Sequence, residues 1–204
     1  MPNKPLKIGV TGGIGAGKSI VCKIFKILGI PVYNADERAK VLMVQDKHVV
    51  ESIKRNFGDE AYLADGKLNN IYLANHVFKN ENKLKIINAI VHPAVTIDFD
   101  NWLKNHENNS YVIKEAALLV ESGSYEFLDY LITVTAPIDI RIARILTRDN
   151  HRTKENIEEI ISKQLSDEEK ISKSKFIITN DNHSLLIPEV LKIHEFLISS
   201  IQTG

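Results

Sequence analysis

The 204-residue sequence has little of several features that identify particular protein classes. Its single cysteine, Cys22, excludes an internal disulfide framework and a cysteine-rich zinc site. Lys plus Arg and Asp plus Glu each number 26, so the formal net charge is zero and no whole-chain field attracts nucleic acid or an anionic membrane. No apolar run is long enough to cross a bilayer or to act as a signal peptide. We therefore expect a soluble cytoplasmic protein, without nucleic acid or membrane partners, in which Cys22 is a buried structural thiol.

What the sequence does contain is a glycine-rich turn between a strand pattern and a helix pattern, in residues 7–29, KIGVTGGIGAGKSIVCKIFKILG. A short β-branched run leads into the glycines, and apolar residues at helical spacing follow them as far as Gly29. Gly12, Gly17, Lys18 and Ser19 match G-x-x-x-x-G-K-[ST], the phosphate-binding loop, in its strand-then-helix context. The residues predicted to contact a nucleotide are Gly13, Ile14, Gly15, Ala16, Gly17, Lys18, Ser19 and Ile20.

These residue types suit phosphate binding for physical reasons. Glycines accept positive φ, so successive backbone N–H groups can curl around a phosphate, and the following helix adds its N-terminal dipole. Lys18 can reach the β- and γ-phosphates, and the Ser19 hydroxyl is the expected protein ligand of a bridging Mg²⁺. An ordinary glycine-rich turn is disfavoured because spacing and context both match. The loop predicts nucleoside triphosphate binding without choosing between a kinase, a GTPase and a motor.

The rest of the chain indicates an α/β protein with a helical insertion. Further strands are predicted at 30–33, 111–113, 130–135 and 176–179, and their alternation with helices predicts a doubly wound, parallel, five-stranded sheet. Residues 45–106 lack a convincing strand, so we assign 1–44 and 107–204 to the core and 45–106 to the insertion. Amphipathic helices are expected there at 49–57, 71–78 and 84–97, and a last core helix is expected at 188–201 with the apolar face Val190, Leu191, Ile193 and Leu197.

Arg141, Arg144 and Arg148 recur three and four residues apart, on one face of a predicted helix that begins near Asp139. A second helix is predicted from Thr153 to about Lys173, so residues 139–173 form a helix-loop-helix. Spacing alone leaves two interpretations open. The arginines form a solvated basic face, or they belong to a lid that folds over a transferring phosphoryl group and neutralises its charge.

Asp36 follows the predicted strand 30–33 and precedes a helical pattern that begins at Glu37. The local sequence supports a helix N-cap and a catalytic base equally. His92, which precedes Pro93, is favoured on pattern alone as a helix-end histidine with a satisfied ring. No histidine has metal-ligand spacing, so no metal is predicted beyond Mg²⁺ on the nucleotide.

With these residues in place, the chain resembles the dephospho-coenzyme A kinases over nearly its full length. The motifs that carry the resemblance are residues 11–19, Leu28-Gly29, Asn34-Ala35-Asp36, Val91-His92-Pro93, Leu118-Leu119-Val120-Glu121, the Arg144/Arg148 pair, Gln164 and Asn180. Each piece is short, and their order along the chain makes the combination specific.

The resemblance implies a P-loop kinase fold, with a coenzyme A-binding insertion and a lid. It implies that ATP phosphorylates the ribose 3′-hydroxyl of dephospho-coenzyme A, the last step of coenzyme A synthesis, and that the enzyme is a monomer. By position, Asp36 is the catalytic base, Lys18 and Ser19 contact phosphate and Mg²⁺, and Arg148 and Arg144 are lid arginines. Asn180 neighbours the ATP base, and His92 and Leu118 contact the acceptor.

Three departures from the family pattern affect binding details. Ile20 replaces a threonine whose hydroxyl could contact the α-phosphate. Leu68-Asn69-Asn70 replaces Leu-Asp-Arg, and Glu115-Ala116-Ala117-Leu118-Leu119 keeps an acid but no proline where the family has Asp-x-Pro-Leu-Leu.

The sequence leaves other functions as alternatives. A different small-molecule or nucleotide kinase of the same fold is one, since the fold serves many acceptors. A GTP-dependent switch is disfavoured because the sequence has no Asp-x-x-Gly or Asn-Lys-x-Asp segment. A structural protein with a vestigial loop is disfavoured because the loop, the base candidate and the arginines occur together.

Overall fold

The computed structural model of the chain describes residues 4–77 and 80–202. Five strands form one sheet: β1 (Leu6–Thr11), β2 (Val32–Asn34), β3 (Tyr111–Glu115), β4 (Tyr130–Thr135) and β5 (Phe176–Thr179). They pair in the order β2-β3-β1-β4-β5, and every pairing is parallel. The predicted parallel, five-stranded sheet is confirmed, and the crossovers between non-adjacent strands account for the alternation of strands and helices.

The helices described are α1 (Lys18–Ile27), α2 (Ala35–Gln45), α3 (Lys47–Phe57), α4 (Asn70–Val77), α5 (Glu81–Lys104), α6 (Ile138–Arg148), α7 (Lys154–Ser162), α8 (Asp167–Ile171) and α9 (Leu186–Gln202). The main core lies between the sheet and two of them. Val21 and Phe25 of α1 and Val190 and Leu197 of α9 are fully buried with the apolar residues of β1, β3 and β4. Such nearly continuous apolar strands are typical of a parallel sheet that is covered on both faces.

Residue contacts divide the chain into two compact units. The sheet unit comprises the residues up to Asn34 and those from His106 onward, and the helical unit comprises Ala35–Asn105. The helical unit therefore begins before the predicted residue 45. Helix α2 belongs to it because α2 packs on α3 and α5, with an ion pair of 2.7 Å between Arg38 Nη2 and Asp98 Oδ1.

The helical unit contains no strand among its described residues, only an isolated antiparallel bridge between Tyr62 and Leu68. Helix α5 is longer than the predicted 84–97 and continues through Pro93. It begins where the Asn80 side chain caps the Lys83 N–H at 3.1 Å. The predicted end of α4 at Phe78 lies outside the described residues.

Two predictions in the sheet unit need correction. The helix predicted from Thr153 to about Lys173 is two helices, because Ser166 and Glu169 form a capping box that starts α8. On α9, Val190, Ile193 and Leu197 are buried as predicted, but Leu191 is 36% exposed and does not belong to the packed face.

Within the described ranges, every helix is too short or too polar to span a bilayer.

Candidate active site

The phosphate-binding loop connects β1 to α1, as the motif predicts, and two of its glycines are required by geometry. Gly12 has φ 146°, and a Cβ there would overlap the backbone carbonyl of Val134. Gly17 has φ 101° and caps α1, where a Cβ would overlap the Asn180 side chain. Larger residues at these positions would change the path of the loop.

Lys18 is the first residue of α1, and its side chain folds back over the loop. Lys18 Nζ donates to the carbonyls of Gly12 at 2.8 Å and Gly13 at 3.3 Å. Ser19 and Ile20 are exposed in the first turn of the helix, where the helix dipole favours an anion. The loop therefore combines a cation, a hydroxyl and a helix N-terminus, which is the chemistry that a polyphosphate requires.

Glu115, at the end of β3, is a site residue to which sequence reasoning gave no role. Its side chain accepts from Ser19 Oγ at 3.1 Å and from Asn34 Nδ2 at 3.2 Å, and the residue is 6% exposed. Its parallel register opposite Val10 brings it beside the start of the loop. The sequence does contain a signal for this residue, because an acid at the carboxyl end of a strand lies on the ligand-binding edge of a parallel sheet.

Cys22 lies one turn along α1 from the loop and is 2% exposed, as predicted for a structural thiol. Burial raises the pKa of the Cys22 thiol above its ordinary value, and the Glu115 carboxylate raises it further. The thiol is therefore protonated at neutral pH and unsuited to nucleophilic chemistry.

Asn180, at the end of β5, is buried against the loop. Its Nδ2 donates to the Ala16 carbonyl at 2.9 Å, and its backbone N–H donates to the Thr135 carbonyl at 2.8 Å. Arg144 Nη2 donates to Asn180 O at 3.0 Å, to Asn180 Oδ1 at 3.1 Å and to Asn182 Oδ1 at 2.6 Å. The structure thus brings together the predicted residues Asn180 and Arg144, with Arg144 bridging α6 and the segment after β5.

The three arginines of α6 have different surroundings, so a single solvated basic face is wrong. Arg141 is 4% exposed and its Nε donates to the Ile14 carbonyl at 2.9 Å. Arg148 is exposed and makes a two-point contact with Asp149, at 3.0 Å from Nε and 2.8 Å from Nη2. This contact raises the pKa of Arg148 and lowers that of Asp149.

Asp36 lies in the first turn of α2, immediately after the end of β2. It is therefore a helical residue and not the N-cap that precedes the helix. Its side chain is exposed, which leaves it accessible to an acceptor hydroxyl.

The two predicted acceptor contacts lie in different units. His92 is exposed inside α5, not at a helix end as its pattern suggested, and its carbonyl accepts from Thr96 Oγ1 at 3.0 Å. Leu118 is 42% exposed in the turn after β3. Each presents surface to solvent that a ligand could cover.

The helical unit contains a cavity of about 570 Å³, which sequence reasoning did not find. Its lining combines apolar and polar side chains from α2, α3 and α5, among them Leu42, His48, Val49, Ala94, Ile97 and Asn101. Cavities of this size and mixed character suit small organic molecules. No sequence signal marks it, because its walls come from three helices that meet only on folding.

Asn69 precedes α4, and its Oδ1 accepts from the Tyr72 N–H at 3.2 Å. Asn and Asp serve this capping role about equally well, so the Asn69 departure preserves the local structure. Among the residues described, no group of three or more His, Cys, Asp or Glu is placed to hold a metal.

The family model and the curated relative that match this chain carry the same description. A family model described as dephospho-CoA kinase matches residues 6–185. A dephospho-CoA kinase of Bacteroides fragilis is 37% identical over 196 residues, which cover 96% of this chain and 95% of that protein.

Two solved structures show the same architecture. A crystal structure of a Thermus thermophilus protein aligns with a TM-score of 0.84 and 28% identity, over 95% of this chain and 98% of the other. A dephospho-CoA kinase from Campylobacter jejuni aligns with a TM-score of 0.68 and 26% identity, over 93% of this chain and 95% of the other. These likenesses, together with the sheet order and the phosphate loop, confirm the predicted P-loop kinase fold.

Proposed function

The chain belongs to the dephospho-CoA kinase family, and we therefore propose that it transfers the γ-phosphoryl group of ATP to the ribose 3′-hydroxyl of dephospho-coenzyme A. The product is coenzyme A, so this is the final step of its synthesis. The observation that carries the proposal is the family match over residues 6–185, which includes an intact phosphate loop. We propose the cytoplasm as the place of action, because the proposed reaction consumes ATP.

The nucleotide binds to the loop of the sheet unit. We assign the phosphate contacts to backbone N–H groups within residues 13–20, other than that of Ile14, which donates to Gln164. Lys18 is the remaining contact, and its Nζ must exchange two loop carbonyls for phosphate oxygens. Backbone N–H groups and the α1 dipole supply the remaining positive potential, so the missing hydroxyl at Ile20 removes one contact only. Asn180, which braces the loop, is assigned to the side of the site that holds the base.

Ser19 and Glu115 fit a magnesium ion. Both offer hard oxygen atoms, 3.1 Å apart, and Mg²⁺ in nucleotide sites uses one or two carboxylate or hydroxyl ligands together with phosphate oxygens and water. When bound, the ion neutralises phosphate charge and orients the β- and γ-phosphates. Asn34, which donates to the second oxygen of Glu115, fixes the orientation of that carboxylate.

Asp36 is assigned as the general base. It accepts the proton of the 3′-hydroxyl while that oxygen attacks the γ-phosphorus, and the bond from the γ-phosphorus to the bridging oxygen of ADP breaks. Lys18 balances charge on the phosphates. Arg148 is the better placed of the two predicted lid arginines for contact with phosphate, because it is exposed, whereas Arg144 holds Asn180 and Asn182.

The acceptor is assigned to the helical unit, whose cavity has a mixed lining that suits the amide-containing arm of dephospho-coenzyme A. His92 and Leu118 are further proposed contacts. We propose a monomer as the working unit, as the family resemblance implies.

The test is a coupled assay of ADP release with purified protein and Mg²⁺-ATP, with and without dephospho-coenzyme A, with the product identified by mass. We expect turnover that depends on the acceptor and yields coenzyme A. Adenosine and pantetheine, supplied separately, serve as acceptor controls. Nucleotide binding without formation of coenzyme A would refute the acceptor assignment and leave the nucleotide site intact.

A further inference from the structure

Ile14, in the middle of the phosphate loop, contacts the helix-loop-helix through its backbone N–H, its backbone carbonyl and its side chain. Its backbone N–H donates to Gln164 Oε1 at 2.9 Å, and its carbonyl accepts from Arg141 Nε at 2.9 Å. Its side chain packs against a separate apolar cluster formed by Ile142, Ile145 and Ile157, with Ile161 beside it. The two helices α6 and α7 therefore form their own small core, and a residue of the phosphate loop packs against it.

The Arg141 side of this contact is buried and closely packed. Arg141 is 4% exposed, and its Nη1 lies 3.4 Å from Oδ1 of Asp167, the first residue of α8. A Cβ at Gly13 would overlap the guanidinium, so this approach requires glycine at that position. Breaking the contacts of a buried arginine with a carbonyl and a carboxylate costs free energy. The connection between the loop and the helices is therefore rigid.

Gln164 completes the connection from the other side. It follows α7 by two residues, in the short segment that joins α7 to α8. The Gln164 contact fixes the peptide plane before Ile14, and the Arg141 contact fixes the peptide plane after it. The orientation of these two planes governs where the neighbouring loop N–H groups point, and phosphate binding depends on those directions.

We propose that Gln164 and Arg141 are positioning residues that couple the phosphate loop to the helix-loop-helix, so that a nucleotide in the loop orders α6 and α7. Neither residue touches the reacting atoms in this assignment. A shift of the loop on phosphate binding moves Ile14, and the isoleucine cluster, Gln164 and Arg141 move with it. The proposal rests on the nucleotide site of the proposed function and is independent of the acceptor.

The experiment measures amide hydrogen exchange in residues 142–161 with and without Mg²⁺-ADP, together with the affinity for Mg²⁺-ADP by calorimetry. In the wild type, bound Mg²⁺-ADP should slow exchange throughout α6 and α7. In Gln164→Leu, which keeps the side-chain size but removes the acceptor for Ile14, we expect affinity to fall about tenfold because the peptide plane before Ile14 is no longer held in the orientation that suits phosphate binding. At saturating Mg²⁺-ADP, the slowing should no longer extend to α6 and α7.

The matched control is Lys163→Leu, which alters the neighbouring residue, whose side chain pairs with Glu159 on the surface. It should respond to Mg²⁺-ADP as the wild type does. Arg141→Lys provides a second route if Gln164→Leu does not fold, since it keeps the charge beside Asp167 but loses the Nε contact. It should show the same loss of coupling.

Two results would overturn the coupling. One is full slowing of exchange in α6 and α7 in a Gln164→Leu protein saturated with Mg²⁺-ADP, which would reduce the contact to a structural one. The other is tight Mg²⁺-ADP binding by the wild type with no slowing in these helices. Failure of the wild type to bind Mg²⁺-ADP would instead contradict the nucleotide site, and failure to form coenzyme A would affect only the acceptor assignment.

Discussion

At the scale of single residues, Asp36 and Glu115 are both carboxylates placed where a parallel strand ends, but their surroundings differ. Asp36 is exposed in the first turn of α2. Glu115 is 6% exposed and already bonded to Ser19 and Asn34. A base must reach the acceptor hydroxyl, whereas a carboxylate that orients a cation benefits from fixed neighbours. These environments lead to separate predictions for the two residues.

We expect Asp36→Asn to lower turnover by about 10²- to 10⁴-fold, because the amide keeps the shape of the side chain but cannot accept the proton. The Michaelis constant for ATP should change little, since the loop that binds ATP is untouched. Steady-state kinetics with both substrates provides the measurement. Glu37→Gln, which neutralises the adjacent acid on α2, is the matched control and should retain normal turnover. Near-normal turnover in Asp36→Asn would remove Asp36 from the base role.

For Glu115→Gln we expect the Mg²⁺ concentration that gives half-maximal activity to rise about tenfold or more, because the carboxylate proposed to hold or orient the ion is lost. High Mg²⁺ should restore most of the turnover. Activity measured over a Mg²⁺ titration tests this, with Glu126→Gln, an exposed acid in the turn before β4, as control. An unchanged Mg²⁺ requirement would show that Glu115 serves only to orient Ser19 and Asn34.

The residues that can be read from the sequence are those whose role follows from local spacing. Gly12, Gly17, Lys18 and Ser19 lie in one short motif, and the structure places them together in the loop and the first turn of α1. The contact between Gln164 and Ile14 joins residues 150 positions apart, so it exists only after α7 has packed against the loop. No periodicity in the sequence encodes such a contact.

At the scale of elements, a largely buried ion pair joins α8 to the loop after β3. The Lys170 side chain is 0% exposed, and its Nζ lies 2.8 Å from Glu121 Oε1 and 2.8 Å from the Leu165 carbonyl. Glu121 Oε1 also accepts from the Leu165 N–H at 3.2 Å. The pair therefore fixes the turn between α7 and α8, close to Gln164 in sequence.

Lys170→Met should lower the free energy of unfolding by up to about 3–5 kcal/mol, because it leaves the largely buried Glu121 carboxylate, 17% exposed, without its cation. Adding Glu121→Gln to this variant should recover part of the loss, since no charge then remains buried. Urea denaturation of the single and double variants measures both effects. The control is Lys192→Met, which breaks an exposed pair with Glu189 and should change stability little. A loss for Lys170→Met as small as that of the control would contradict the buried-pair interpretation.

Tyr62 gives the helical unit a sensitivity to high pH. Its hydroxyl donates to the Met43 carbonyl at 2.7 Å, and burial raises its pKa from 10.0 to about 12. Between these two values the folded state keeps a proton that the unfolded state has lost, so stability is present below pH 10 and falls as the pH rises toward 12.

Tyr62→Phe should therefore flatten the decline of stability with pH in this range. Unfolding midpoints recorded across the alkaline range test this, and Tyr72→Phe, which removes a hydroxyl that donates to the Phe57 carbonyl at 2.8 Å, is the control. Burial also raises the pKa of Tyr111 in the sheet unit, so the informative quantity is the difference between the variant and wild-type curves. Identical slopes for Tyr62→Phe and the wild type would refute the assignment.

The bounds of β4 and β5 agree with their predicted ranges because turn residues and polar segments flank short β-branched runs. The break between α7 and α8 was missed, although Ser166-Asp167-Glu168-Glu169 carries the capping-box spacing. The assignment of α2 to the helical unit could not be read from its sequence. Its partner helix α5 begins 36 residues after the end of α2, and that packing is decided by tertiary contacts such as Arg38 with Asp98.

At the scale of the whole molecule, the phosphate loop and the cavity lie in different units of the chain. The sheet unit contains the phosphate loop and the side chains that hydrogen-bond to it, and the helical unit contains a cavity lined by α2, α3 and α5. If the helical unit binds the acceptor, a change in its cavity should alter the kinetics of one substrate and leave those of the other unchanged. Measuring the Michaelis constants of the two substrates separately therefore tests whether each unit binds one of them.

The variant that tests it is Ala94→Phe, because Ala94 lines the cavity and a phenyl ring at that position would occupy part of its volume of about 570 Å³. We expect the Michaelis constant for dephospho-coenzyme A to rise about tenfold, while the Michaelis constant for ATP and the turnover at saturation stay within about twofold, as for a loss of uniform binding. Lys85→Phe adds the same ring to an exposed position of α5 that does not line the cavity, so it controls for added apolar surface. Thermal unfolding of both variants verifies that the helical unit remains folded. An unchanged Michaelis constant for dephospho-coenzyme A in a folded Ala94→Phe protein would exclude the cavity from acceptor binding, and a parallel rise for ATP would contradict the separation of tasks between the units.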